Sequence, residues 1–332
     1  MLITVIITCY NLETYIAKAI DSVINQDFDP LLYEIVVVDD CSTDRSPVII
    51  NSYRNVRYLR TDENLGVLGA TVIGLENTDG ELVCFLDGDD IWEPSKLSTV
   101  VELFNNDRFL AFVTHDLSFI DSEGQLLARR SRSENVMATV SNTRLSHTIR
   151  DGILLHSDYV WLGSAYTVHR KLGNLTDFCS FAKKLPDSLN TYQDWPLAFW
   201  VACQQKVTFG YVDRKLFHYR LHGLNHSGDA SSASKALRNY RRTHNTMQAI
   251  KQIAVRFDVA DKVQVVTDRK LAFSVYLVFL YSGQRWCATR GLFLALPHLL
   301  SGSVSFWKEL IRFFGVQILG VDFFVRLAAA RN

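Results

Sequence analysis

The chain has 332 residues, 48% of them hydrophobic and 21% charged, which is apolar material enough for one large domain with an appendage and excludes a disordered chain. Lys plus Arg and Asp plus Glu number 35 each, a formal charge of zero. That balance excludes a protein devoted to nucleic acid, whose phosphates demand a basic excess.

The six cysteines, Cys9, Cys41, Cys84, Cys179, Cys203 and Cys287, are scattered with no C-x-x-C pair. This pattern predicts reduced thiols in a cytoplasmic protein rather than a disulfide frame or a zinc site. Residues 2–8 are strand-like and lack the basic flank and longer apolar run of a signal peptide, so the domain they open is expected to stay in the cytoplasm.

Residues 3–8 form a short β-branched run. In 12–26, Tyr15, Ile16, Ala19, Ile20, Val23 and Ile24 recur at helical spacing, with Asn11 as the expected N-cap. Residues 34–38 read as a buried parallel strand, 56–59 as a third strand, and 66–77 as a helix in spite of its glycines. A fourth strand is expected at 82–86, a helix at 95–105 and a strand at 111–119. Residues 120–190 are polar and irregular and carry the cluster Arg129, Arg130 and Arg132. From about 235 onward the pattern is helical. The alternation predicts an α/β fold, a mostly parallel sheet with helices on both faces. Ligands in such sheets bind beyond the carboxyl ends of the strands. Asp39, Asp40, Asp87 and Asp89 all follow strand ends and are expected on one rim.

The run Leu86-Asp87-Gly88-Asp89-Asp90 is the sharpest signal. Three carboxylates within four residues repel one another, so a cation is expected to hold them. Mg2+ and Mn2+ accept a few carboxylates together with water and phosphate oxygens. A solvated acidic loop that caps the next helix, with Pro94 opening it, is the competing reading.

Read together, three segments resemble the family-2 glycosyltransferases, an inverting family of GT-A, Rossmann-like fold. They are Val5-Ile6-Ile7-Thr8-Cys9-Tyr10-Asn11, Val36-Val37-Val38-Asp39-Asp40-Cys41-Ser42-Thr43-Asp44, and Asn64-Leu65-Gly66 leading through Gly80-Glu81 to the acidic cluster. The resemblance covers residues 1 to about 228. It implies transfer of a sugar from a UDP- or GDP-type nucleotide-diphosphate sugar to a hydroxyl of a glycan or lipid-linked acceptor, of the bacterial cell-surface polysaccharide (O-antigen) type. It implies a donor site of Thr8, Tyr10, Asn11, Asp40, Asn64, Gly66, Asp87, Gly88, Arg220 and His222. It implies a D-x-D metal element, Asp87 and Asp89 with His222, holding Mn2+ or Mg2+. The acid opening Asp194-Trp195-Pro196 matches the family's general base, and an N-cap ahead of Pro196 is the alternative for it. Tyr219-Arg220-Leu221-His222 resembles the family's Tyr-Arg-x-His loop and is expected to close over the diphosphate, with Gly223 and Gly228 as hinges. Trp161-Leu162-Gly163-Ser164 is expected near the acceptor, with a core aromatic as the stronger reading for Trp161 itself. Thr71 and Val72 depart from the family's usual Arg-Asn pair, Gln193 from its common Glu, and Cys41 from its common glycine.

The expected domains are a catalytic one at 1–230 and a helical one at 231–332. In 304–327, Trp307, Ile311, Phe314, Ile318, Val321 and Val325 repeat at intervals of three and four, opposite Lys308, Arg312, Asp322 and Arg326. That pattern predicts an amphipathic helix in peripheral contact with the cytoplasmic face of the inner membrane, helped by Arg238, Arg241, Arg242, Lys251 and Arg256. An ordinary helix packed on the catalytic domain or in a homodimer competes with it. Residues 271–283 and 292–300 are too short to span a bilayer. Two other activities stay open. A sugar nucleotidyltransferase would need a glycine-rich basic loop after the first strand, which Cys9-Tyr10-Asn11-Leu12 does not provide. A non-catalytic nucleotide-sugar- or carbohydrate-binding relative would fit the missing Arg-Asn pair.

Overall fold

The computed structural model describes residues 2–128, 145–155, 162–187, 189–222, 232–282, 284–300, 312–314, 316 and 321. The chain divides into two compact units, Met1–His222 and Gly223–Asn332.

The first unit is built on a nine-stranded sheet. Its strands are β1 (Ile3–Cys9), β2 (Tyr33–Asp39), β3 (Val56–Arg60), β4 (Leu82–Asp87), β5 (Ile91–Trp92), β6 (Leu110–Ile120), β7 (Leu126–Leu127), β8 (Thr167–His169) and β9 (Thr208–Arg220). Their order is β3-β2-β1-β4-β8-β6-β9-β5, with β7 paired to β6. β1, β2, β3 and β4 are mutually parallel. Ile3, Val5, Ile6 and Ile7 of β1 and Val36, Val37 and Val38 of β2 are fully buried. Apolar side chains on both faces are what a parallel strand covered by helices on each side requires.

The second half of the sheet is mixed. β8 runs antiparallel to both β4 and β6, β6 and β9 are parallel, and β5 and β7 are antiparallel additions. β8 has three residues and β5 two, too few to show periodicity in the sequence. Yet β8 joins the two halves, and β5 draws the end of β9 toward the acidic loop through the pairs Ile91↔His218 and Trp92↔Phe217.

The first helix covers Ile16–Ile24, later than expected, and buries Ile16, Ala19, Ile20 and Val23. Asn11 does not cap it. Its backbone is left-handed at φ 54°, and its side chain turns to the neighbouring loop. The helix Gly66–Glu76 forms as expected. All six cysteines are free thiols. The Arg129–Arg132 cluster and Trp161 lie outside the described residues.

The second unit contains the helices Ala233–Arg256, Ala260–Tyr281 and Arg285–Leu300. Tyr276, Leu277, Leu280 and Tyr281 pack against Ala288 and Ala295, with Phe313 and Val316 completing the core. Small residues on the third helix admit the aromatic rings of the second. Phe314, expected on an apolar stripe, is exposed, while the neighbouring Phe313 is buried. The other stripe positions Trp307, Ile311, Ile318 and Val325, and the polar Lys308, Asp322 and Arg326, lie outside the described residues. Among the described residues no helix is long and apolar enough to cross a membrane.

Leu280 is 1% exposed, and shortening it leaves a cavity that the helices fill only in part. Leu280→Ala is expected to lower the stability of the helical unit by about 2–5 kcal/mol, seen as earlier loss of the helical circular-dichroism signal in urea.

Candidate active site

The carboxyl ends of β1 and β4 meet. Thr8 faces Asp87 in register, and its hydroxyl donates to Asp87 Oδ1 at 3.3 Å. The Gly88 amide donates to the Thr8 carbonyl at 2.9 Å. A β-carbon at Gly88 would lie 2.8 Å from that oxygen, so only glycine lets the two backbones close here. The Asp90 amide then bonds the Asp87 carbonyl at 2.9 Å, folding the three acids into one tight turn.

The turn is fixed from below. Asp90 is 1% exposed and accepts from the Ser164 hydroxyl at 2.7 Å and from the Arg220 amide at 3.0 Å. The Asp87 amide donates to Ser164 Oγ at 3.1 Å. Arg220 is fully buried. Its Nε donates to the Asp89 carbonyl at 2.8 Å and its Nη1 to the Asp121 and Ser122 carbonyls, each at 3.2 Å. Its guanidinium lies 4.9 Å from the centre of the Tyr15 ring. The β5–β9 pairing brings the end of β9 under the loop, so that Nε and Nη1 of the guanidinium bind main-chain carbonyls of the acidic turn and of the β6–β7 turn. His222 stays at the edge of the turn. Its Nε2 is 2.9 Å from Asp89 Oδ2, and its ring stacks 4.6 Å from Tyr15.

A second network orders the loops beyond β1 and β2. Asp40 is buried and accepts from the Leu65 amide at 2.8 Å, the Gly66 amide at 2.7 Å and the Thr61 hydroxyl at 3.1 Å. Asn64 Oδ1 also accepts from the Gly66 amide, at 3.1 Å. Gly66 has φ 74°, and a β-carbon there would stand 2.5 Å from the Leu189 carbonyl oxygen. Asp40 thus braces the Asn64-Leu65-Gly66 turn, and burial is the chief reason its carboxyl is held above the usual range. Asn11 ties the β1 loop to the β2 loop through Thr43 and Ser42, at 2.8 and 2.9 Å. Asp39 is occupied by Arg60, Tyr58 and the Ser42 amide. Tyr10 is half-buried beside these loops. Cys41 has φ 63°, the left-handed region that explains the glycine common at this position in the family it resembles.

Asp194 opens the helix Asp194–Ala202, with Pro196 buried in the first turn. Its carboxyl is pushed up to about 6, first by burial, against the pull of backbone N–H groups. Asp87 is pushed up to about 7 by burial and then by the charges of Asp89 and Asp194. Asp89 and Asp194 are thus both near Asp87. Gln193, next to Asp194 in the chain, reaches it as well. Its Nε2 donates to Asp87 Oδ1 at 3.4 Å, and its Oε1 accepts from the Thr71 hydroxyl. Two departures from the family pattern, Thr71 and Gln193, are thus partners, while Val72 packs into the core.

Lys96 and Tyr15 carry no functional signal in the sequence, and Ser164, expected near the acceptor, gives no hint there of its bonds to Asp87 and Asp90. Lys96 lies at the start of the helix Lys96–Asn106, where an exposed charge is the ordinary expectation. Instead it is fully buried, and burial lowers its ammonium to about 7. Among the described residues no three His, Cys, Asp or Glu side chains stand ready to hold a metal ion.

Comparison with known proteins bears on this cleft. Residues 4–165 match the profile of glycosyl transferase family 2. That segment carries the parallel strands and the acidic turn, and family 2 is what it resembles. An uncharacterized glycosyltransferase of Nostoc sp. is 29% identical over 245 residues, 70% of this chain and 69% of its own length. The poly(ribitol-phosphate) β-N-acetylglucosaminyltransferase TarS of Staphylococcus aureus is 40% identical over 94 residues, 27% of this chain and 16% of TarS. A crystal structure of TarS 1–349 with UDP-GlcNAc matches with TM-score 0.60 at 19% identity, over 100% of this chain and 92% of that one. The mannosyltransferase PcManGT of Pyrobaculum calidifontis, in complex with GDP-Man and Mn2+, matches with TM-score 0.55 at 16% identity, over 99% and 86%. These likenesses identify the fold of the chain as GT-A.

Raised carboxyls oppose folding where they ionise. With its folded value near 7 above the unfolded one, Asp87 favours the folded state only in its protonated form, and the advantage is lost as pH rises through that value. Asp87→Asn is therefore expected to raise the melting temperature of metal-free protein most at pH 8, the gain shrinking as pH falls below about 7. Thermal scans from pH 8 to pH 5 check the trend.

Proposed function

We propose that the chain transfers a sugar, with inversion, from a UDP- or GDP-type nucleotide-diphosphate sugar to a hydroxyl of a glycan or lipid-linked acceptor. One observation carries the reading. Asp87, at the carboxyl end of a parallel strand, feels the charge of Asp89 in its own turn and of Asp194 at a helix start, and Gln193, next to Asp194, donates to it. Carboxylates crowded in this way suit a site that receives a cation with an anionic ligand.

Asp87 and Asp89 are the residues that would hold Mn2+ or Mg2+. Two carboxylates fit an ion that fills its other places with water and phosphate oxygens, and the under-compensated charge on Asp87 is what such an ion offsets. His222 would join them by exchanging its bond to Asp89. When bound, the ion would neutralise charge on the departing diphosphate. Everything else falls to the chain itself. Asp194 takes the proton from the acceptor hydroxyl, and a carboxyl raised to about 6 is a stronger base than an ordinary one. Thr8 and Gln193 orient Asp87. Asp40, through the turn at 64–66, and Asn11, Tyr10 and Gly88 shape the donor side.

The donor complexes of TarS and PcManGT support the UDP and GDP alternatives respectively, and the name of TarS supports a cell-envelope polymer as acceptor. We assign this chemistry to residues 1–230 and attachment at the cytoplasmic face of the membrane to the helices of 231–332.

The test is turnover of UDP- and GDP-sugars by the full chain with Mn2+ and with chelator. Asp194→Asn is expected to lose turnover by about 10²–10⁴-fold yet keep its donor-induced thermal shift. Undiminished turnover in that variant, or in an Asp87→Ala/Asp89→Ala double variant, sinks the assignment, and a donor shift without turnover in the wild type turns the reading toward a binding protein.

A further inference from the structure

The acidic turn needs support against its own repulsion, and that support converges on one residue. Ser164 is fully buried. Its hydroxyl donates to Asp90 Oδ2 at 2.7 Å and accepts from the Asp87 amide at 3.1 Å. One small side chain thus ties the first and last acids of the turn. Its own carbonyl accepts from Lys96 Nζ at 2.6 Å and from Trp92 Nε1 at 3.0 Å. Gly163–Ala165 is a single 3-10 turn, a weak element unless something outside it fixes its carbonyls.

Lys96 is the unusual member. Its ammonium lies 3.9 Å from the centre of the Trp92 ring and donates to a neutral carbonyl. Withdrawing an ammonium from water to such partners is unfavourable in itself. What the fold gains is a rigid Ser164: a charged donor gives a stronger bond than a neutral one. The negative end of the arrangement is Asp90, one residue further through Ser164.

We propose that Lys96 and Ser164 are a positioning pair for the acidic turn: the ammonium locks the Ser164 main chain, and the Ser164 hydroxyl locks Asp87 and Asp90, so that Asp87 and Asp89 face their ligand preformed. Neither side chain touches substrate. Their effect on cation use rests on the transferase reading given above, whereas their effect on the turn does not.

Two variants of the full chain separate these. Ser164→Ala removes the hydroxyl and keeps the carbonyl. Lys96→Met keeps the stem and most of the volume and removes the charge. Hydrogen–deuterium exchange of the peptide spanning 85–92 reads the turn directly. It is expected to quicken about tenfold in both variants, with peptides from β2 and from the helix Ala233–Arg256 unchanged, and the Mn2+ concentration for half-maximal turnover is expected to rise about tenfold while turnover at saturating Mn2+ stays within about twofold of wild type. If Lys96→Met does not fold, Ser164→Ala decides alone. Exchange at 85–92 that matches wild type overturns the proposal, and so does exchange quickened equally in every peptide, which would mean a packing role. Local quickening with an unchanged Mn2+ dependence overturns the link to cation use. Local quickening in a chain that shows no Mn2+-dependent turnover at all supports the positioning pair and sinks the transferase reading instead.

Discussion

Like charges forced together at the end of a buried strand govern this protein. Asp87, Asp89 and Asp90 follow β4 within four residues, and Asp194 adds its field from another element. Left alone, such a group protonates or springs apart. The surrounding fold prevents the second outcome with hydrogen bonds rather than with a direct ion pair. Ser164 and the Arg220 amide hold Asp90, the Arg220 side chain holds the Asp89 carbonyl, and Thr8 and Gln193 hold Asp87. The turn is therefore rigid while its outer oxygens keep their charge problem, which a ligand can resolve.

The sheet topology supplies these partners from distant parts of the chain. The parallel half delivers Thr8, Asp40 and Asp87 to one edge because strands of common direction end together. The antiparallel insert β8 follows directly on the turn that carries Ser164, bringing it beneath the acids. The two residues of β5 anchor the end of β9, so that Arg220 reaches them too. Short irregular strands do as much for the site as the long buried ones.

What could be read from the sequence followed the same division. β1, β2 and β4 were legible because apolar runs buried on both faces leave an unmistakable trace, and Asp40, Asp87, Asp89 and Asp194 were legible as acids at element ends. The tertiary bonds of Arg220 and Asn11 were not: Arg220 binds main-chain carbonyls of the acidic turn, and Asn11, expected to cap a helix, binds a loop brought close by the fold instead. Lys96 left no trace, since nothing local distinguishes a buried lysine at a helix start from an exposed one, and Ser164 was read only as part of a segment near the acceptor. Gln193 and Thr71 were seen as separate departures, 122 residues apart, and only the fold reveals them as one interaction.

That interaction has a further consequence. The family pattern has Arg and Glu at these two places, and Thr71 with Gln193 replaces one opposed pair of formal charges by a neutral bridge. The sum of charge in the cleft is the same either way. What changes is what borders Asp87: a buried hydroxyl and amide stand where the pattern has ions. The donor that aims the Asp87 carboxylate is therefore neutral, and the negative charge gathered around the turn is left for a ligand to balance.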